Sequence, residues 1–135
     1  MKNNLSKKVI AAAAGGAISA ALVLIPAYEG VEYRPYRDVA GVLTVCYGNT
    51  GSDIQAGKIY TADECRALLY RDLDKIRRAV DPMITVPVDD TTRAAIYSFV
   101  YNVGPGAFSC SSMLRKLNNG DIAGTSAGGC YSLSV

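Results

Sequence analysis

The 135 residues include no histidine and no tryptophan. Without histidine, and with four widely separated cysteines as the remaining soft ligands, a zinc site is excluded. A serine or cysteine nucleophile activated by imidazole is excluded on the same ground. Charge is missing too, over one long stretch: residues 9–25, VIAAAAGGAISAALVLI, carry none. A basic run is also lacking. Of the 14 basic residues, Lys2, Lys7 and Lys8 precede the apolar stretch, which leaves 11 against 12 acidic ones in the body. That near-neutral balance argues against nucleic acid as a partner. What remains is carboxylate chemistry, with no cofactor and no metal implied.

Lys7 and Lys8 flank the apolar stretch on one side only, the pattern of a segment whose N-terminus stays cytoplasmic while the rest is exported. As a span it is short, since seventeen helical residues reach roughly 26 Å against a hydrocarbon core of about 30 Å. It is also weakly apolar, because alanine and glycine contribute little to insertion. Three readings compete: a signal peptide cleaved near Ile25-Pro26-Ala27, a permanent anchor, and an anchor that is later released. A buried soluble helix is disfavoured, because Pro26 ends the run and no polar face exists.

Beyond the stretch, Ala27 to about Tyr36 reads as a short helix bearing Glu29, with the rival carboxylate Glu32 on nearly the same face. Asp38 to Tyr60 is punctuated by glycine and predicts a small β-containing lobe with a strand over Val42–Tyr47. On that strand Val42, Thr44 and Cys46 share a face, and Asp38 lies in the turn entering it, where a carboxylate stays hydrated. Thr61-Ala62-Asp63-Glu64 is a capping box opening a long helix on which Leu69, Leu73, Ile76 and Val80 recur at helical spacing. Asp90 or Thr91 caps a second helix, Thr92–Val103, with Ala95, Ile96, Phe99 and Val103 on its apolar face, and Gly104-Pro105-Gly106 ends it. A third helix runs from about Ser109 to Asn119. The predicted class is α+β and mainly helical.

Glu29, Asp38 and Thr44 fall within sixteen residues, in the string YEGVEYRPYRDVAGVLTVCYGNTG. Two carboxyl groups in unlike environments, one protonated and one ionised, are what glycoside hydrolysis requires. With Gly30, Tyr36, Gly41, Gly48 and Thr50-Gly51 around it, the string resembles the T-even-type phage lysozymes, endolysins of the glycoside hydrolase 24 type. The likeness is greatest to those of lambdoid phages with an N-terminal signal-anchor. It implies a two-lobed lysozyme-like fold: a small β-lobe, a long connecting helix and a helical lobe, with a cleft between the lobes. It further implies hydrolysis of the β-1,4 bond between N-acetylmuramic acid and N-acetylglucosamine in peptidoglycan, with inversion, for host lysis. Glu29 is then the acid, kept protonated by burial against Tyr28, Tyr33 or the helical lobe. Asp38 activates a water that Thr44 holds. Tyr101 and Asn102 line the other cleft wall and bind substrate, Asn102 having a helix-capping role as its alternative, and Ser111 or Ser112 faces the cleft. Relatives carry cysteines at the positions of Cys46 and Cys65, so a disulfide between them is expected, whereas Cys110 and Cys130 have no family counterpart. The implied partners are peptidoglycan strands and, through residues 9–25, the inner membrane, from which a monomer is released to the periplasm.

The organisation expected is a signal-anchor over 1–26, a catalytic domain over 27–124 and an aberrant tail over 125–135, where TSAGGCYSLSV replaces the closing helices of relatives. The helical lobe is then incomplete, which puts activity in doubt. Two further readings stay open. One is an inactive prophage relic or a cell-wall-binding remnant. The other is a lytic transglycosylase, which needs the glutamate but no water-activating aspartate.

Overall fold

The computed structural model describes residues 2–119, so the expectations for the tail and for Cys130 lie outside the described residues. The chain runs α1 (Lys2–Ala13), α2 (Ala17–Tyr28), β1 (Glu32–Arg37), β2 (Leu43–Cys46), α3 (Ala62–Val80), a 3-10 turn (Asp81–Met83), α4 (Asp90–Val103), α5 (Pro105–Ser109) and α6 (Ser112–Asn119).

The apolar N-terminal stretch is not one span. It breaks at Ala14–Gly16, where Gly16 takes φ +107°, and folds into two helices. Among the described residues no helix is long and apolar enough to cross a membrane. Instead α2 buries Ala20, Ala21 and Ile25 in one core with Leu69 and Leu73 of α3 and Ala94, Tyr97 and Val100 of α4. The buried helix disfavoured on sequence grounds is therefore the arrangement observed. Small alanines let the helix axes approach, and a helix surrounded by other helices needs no polar face. Pro26 does not stop α2, which continues to Tyr28 and closes with the Glu29 N–H on the Ile25 carbonyl, 2.9 Å.

The expected helix from Ala27 to Tyr36 ends at Tyr28, and residues 32–37 form β1 instead. Glu29 is the C-cap of α2, with extended backbone at φ −93° and ψ 136°, and the chain passes Gly30 into the strand. Glu32 therefore does not share a helical face with Glu29; it pairs with Cys46 across the sheet. β1 and β2 are antiparallel, with Tyr36 opposite Thr44 and Arg37 opposite Leu43, and the register slips between Glu32 and Tyr36. Pro35 lies in that slip, where a residue without an N–H removes a rung of the ladder.

α3 starts at the capping box: Thr61 Oγ1 accepts from the Glu64 N–H and Glu64 Oε1 from the Thr61 N–H. α4 begins two residues earlier than expected and its cap is Asp89, whose Oδ1 accepts from the Thr92 N–H at 2.8 Å. Its buried face holds Ala94, Ile96, Tyr97 and Val100, while Ala95, Phe99 and Val103 are exposed. The face is rotated because Tyr97 goes inward, its hydroxyl donating to Asp81 Oδ1 at 2.7 Å beside Arg93. The expected third helix is two, α5 and α6, with Ser111 Oγ accepting from the Leu114 N–H at their junction. A second, smaller core of Val45, Cys46, Ile54, Tyr60 and Cys65 supports the sheet, and Tyr47 packs against both cores. Cys46 and Cys65 are joined by a disulfide that ties β2 to α3. Cys110 is also disulfide-bonded.

Candidate active site

Between the sheet and the helices lie two depressions that share Gly48. One, of about 390 Å³, is lined by Glu29, Gly30, Val31, Glu32, Tyr36, Cys46 and Gly48. The other, of about 410 Å³, lies between the Gly48–Gly51 loop and the facing surfaces of α3 and α4, with Asp72, Lys75, Val100 and Tyr101 in its lining. Together they form a cleft between the two lobes.

Glu29 is half-buried at the first depression, set there by the end of α2. Of the covers expected for it, Tyr28 is 72% exposed and Tyr33 39%, and neither is in the lining of this depression. Asp38 lies in the turn between the strands, outside that lining. Its Oδ1 accepts from the Ala40 N–H at 2.8 Å and the Val42 N–H at 2.9 Å, which leaves Oδ2 free of these bonds. Gly41, at φ +80°, lets the chain reverse there, and Arg37 donates to its carbonyl. Thr44 is buried opposite Tyr36, and its hydroxyl donates to the Val42 carbonyl at 2.9 Å. Glu29 thus borders the cleft, and Asp38 and Thr44 occupy the hairpin whose Tyr36 lines it.

Tyr101 borders the second depression, but its hydroxyl faces the protein. It donates to the Tyr47 carbonyl at 2.7 Å and accepts from Asn49 Nδ2 at 3.0 Å. Burial pushes this phenol well above its usual pKa, the Asp72 carboxylate adds to the rise, and Glu29 acts in the same direction. Asn102 is exposed in the last turn of α4, and the helix is capped by Gly104 instead, whose N–H reaches the Val100 carbonyl. Ser111 is occupied by local bonds and Ser112 is exposed at the start of α6.

Sequence reasoning missed the network under the cleft. Asn49 is fully buried between the cleft-lining Gly48 and Thr50. Its Nδ2 donates to Asp72 Oδ2 at 2.7 Å and to Tyr101, and its Oδ1 accepts from the Tyr47 N–H at 3.0 Å. Arg71 donates to the other oxygen of Asp72, to Asp53 and to the Thr50 carbonyl. The signal that could have found it is a polar side chain between two glycines, Gly48 and Gly51, facing a carboxylate on α3.

A profile of the family described as phage lysozyme matches residues 26–130. The chain belongs to the phage lysozyme family. A relative named SAR-endolysin, from bacteriophage PS119, is 55% identical over 130 residues, covering 92% of this chain and 78% of its own length. Among solved structures, the muramidase domain of SpmX from Asticaccaulis excentricus superposes with a TM-score of 0.70 at 33% identity, covering 75% of this chain and 68% of that one. A phage P22 lysozyme gives 0.69 at 30% identity, over 75% of this chain and 72% of its own. The lysozyme-like α+β fold read from the sequence is the fold observed.

Proposed function

We propose that this phage lysozyme is an endolysin: a muramidase that hydrolyses the β-1,4 bond between N-acetylmuramic acid and N-acetylglucosamine with inversion. The observation that carries the reading is Glu29, a half-buried carboxyl fixed by the end of a helix at the cleft, near a hairpin bearing a second, hydrated carboxylate. Glu29 donates its proton to the leaving glycosidic oxygen. Asp38 Oδ2 takes one proton of the attacking water. The Thr44 hydroxyl, already donating to Val42, accepts the water's other hydrogen and aims its lone pair at the anomeric carbon. Walls of α3 and α4 hold the neighbouring sugars.

The SAR-endolysin name of the PS119 relative supports a tethered precursor anchored in the inner membrane through residues 9–25 and released as a monomer to the periplasm. In the folded form that stretch is α1 and α2, and α2 sets Glu29. A segment held in the bilayer cannot do so, and tethering would restrain activity.

The test is clearing of outer-membrane-permeabilised Gram-negative cells by the full chain beside its Glu29→Gln variant. The expected result is clearing by the parent, reducing glycan ends among the products, and a loss of at least about 100-fold in kcat for the variant. Anhydro ends would move the reading to a transglycosylase. A folded, inert parent would refute it.

A further inference from the structure

We propose that an exposed apolar stripe on α4 is the docking surface for residues 131–135 of this same chain, fastened there by a disulfide between Cys110 and Cys130. Helical periodicity places Ala95, Phe99 and Val103 on one face of α4, and all three are exposed, Phe99 by 39% and Val103 by 42%. Phe99 meets the Phe108 ring edge-on, with centroids 6.4 Å apart. A row of apolar side chains facing water on a helix is a surface that lacks its cover. The same helix carries Val100 and Tyr101 into the lining of the cleft, so what covers the stripe also steadies a cleft wall.

The cysteines identify the occupant. Cys46 is joined to Cys65, and Cys110 is disulfide-bonded as well, which leaves Cys130 as its partner within a chain of four cysteines. Cys110 caps α5 two residues after Phe108, so that bond delivers Cys130 close to Phe99. Residues 120–129 reach up to roughly 35 Å, against about 12 Å for the length of α6 that they must retrace. From Ile122 onward the sequence carries no charged side chain, so no ion has to be stripped of water on an apolar surface. Directly after the cysteine, Tyr131, Leu133 and Val135 alternate with Ser132 and Ser134, the pattern of an extended segment with one apolar face. Two residues of strand rise about 6.7 Å and four residues of helix about 6 Å. The three apolar side chains therefore match the spacing of Ala95, Phe99 and Val103, with Leu133 against Phe99 in either direction, while the serines face water.

Two measurements on the full chain test this. Peptide mass mapping without reduction is expected to find Cys110 linked to Cys130; Cys130 recovered as a free thiol, or linked to a second chain, overturns the proposal. Thermal melts then compare the parent with Leu133→Asp, Ser132→Asp and Ser134→Asp. Leu133→Asp is expected to lower Tm by about 5 °C, since it removes one buried leucine. Both serine variants stay within about 1 °C of the parent, as substitutions on a solvent face do. In a Phe99→Ala background the Leu133→Asp shift falls to less than about half, because the side chain it depends on is gone. Equal tolerance of the charge at all three positions overturns the proposal, and so does a Leu133→Asp shift that Phe99→Ala leaves unchanged. A dimer in sedimentation that Leu133→Asp does not disturb assigns the stripe to a second copy and overturns it too. None of these variants alters Glu29, Asp38 or Thr44, so the muramidase reading stands or falls separately.

Discussion

Asn49 uses both ends of its amide inside the protein, donating to Asp72 and Tyr101 and accepting from Tyr47. It pins the loop under the cleft to α3 and α4 at once, and Cys46, the last residue of β2 before that loop, holds φ +63°, a backbone state that needs such support. Asn49→Asp preserves shape and replaces the donor facing Asp72 with a second carboxylate at the site of a 2.7 Å bond. Like charges and burial both raise the pKa of the new acid in the folded protein above its unfolded value. The protonated form then fits the fold, so the variant is least destabilised below about pH 4 and loses stability as pH rises through the folded pKa. A rise of about two units corresponds to a deficit of about 2.7 kcal/mol at neutral pH. Denaturant midpoints of parent and variant from pH 3 to 8 check it, and a deficit that does not grow with pH would show that Asn49 and Asp72 are uncoupled. Tyr101 belongs to the same network: the family resemblance implies a substrate-binding role for it, and its hydroxyl is engaged by Tyr47 and Asn49.

At the scale of elements, α4 depends on a cap that titrates. Hydrogen bonds from Thr92 hold the Asp89 carboxyl below the usual carboxylate range. A depressed folded pKa contributes stability above the unfolded value of about 3.9 and loses it as pH falls through the folded one. Asp89→Asn still caps but carries no charge for the helix terminus. The parent is therefore the more stable above about pH 5, and the two converge toward pH 2 in thermal melts. What could be read beforehand divides along similar lines. The capping box at Thr61 and the apolar recurrence of Leu69, Leu73 and Val80 are local signals, and α3 follows them. β1 was hidden because its residues, Glu32 to Arg37, are almost all exposed and show no apolar alternation. The α4 face differs from the expected one because Tyr97 buries its ring by giving its hydroxyl to Asp81, a partner 16 residues away and invisible to periodicity. Glu29, Asp38 and Thr44 are proposed on the motif, whereas Asn49 is visible only through the contacts that the tertiary structure sets around it.

For the whole molecule, residues 9–25 posed the hardest question, because a bilayer and a protein core select the same composition. Both exclude water, and the hydropathy of an alanine-rich stretch does not say which surrounds it. The packing does. Ala20, Ala21 and Ile25 of α2 have almost no exposure and share a core with α3 and α4. Removing them uncovers Leu69, Leu73, Tyr97 and Val100. Losing burial of side chains worth about 1.5–3 kcal/mol each is comparable with the 5–15 kcal/mol that holds an ordinary domain together. A fragment of residues 26–135 is accordingly expected to give no cooperative thermal transition and no clearing of permeabilised cells. Deleting residues 2–13 removes α1, whose fully core residue is Val9, and should lower the melting temperature while leaving a cooperative transition. If the 26–135 fragment melted cooperatively at the parent's temperature, α2 would be an appendage and the positioning of Glu29 would have to come from the sheet alone. The order of the three melts, parent above the α1 deletion and no transition without α2, is what a catalytic lobe completed by its own N-terminal segment requires.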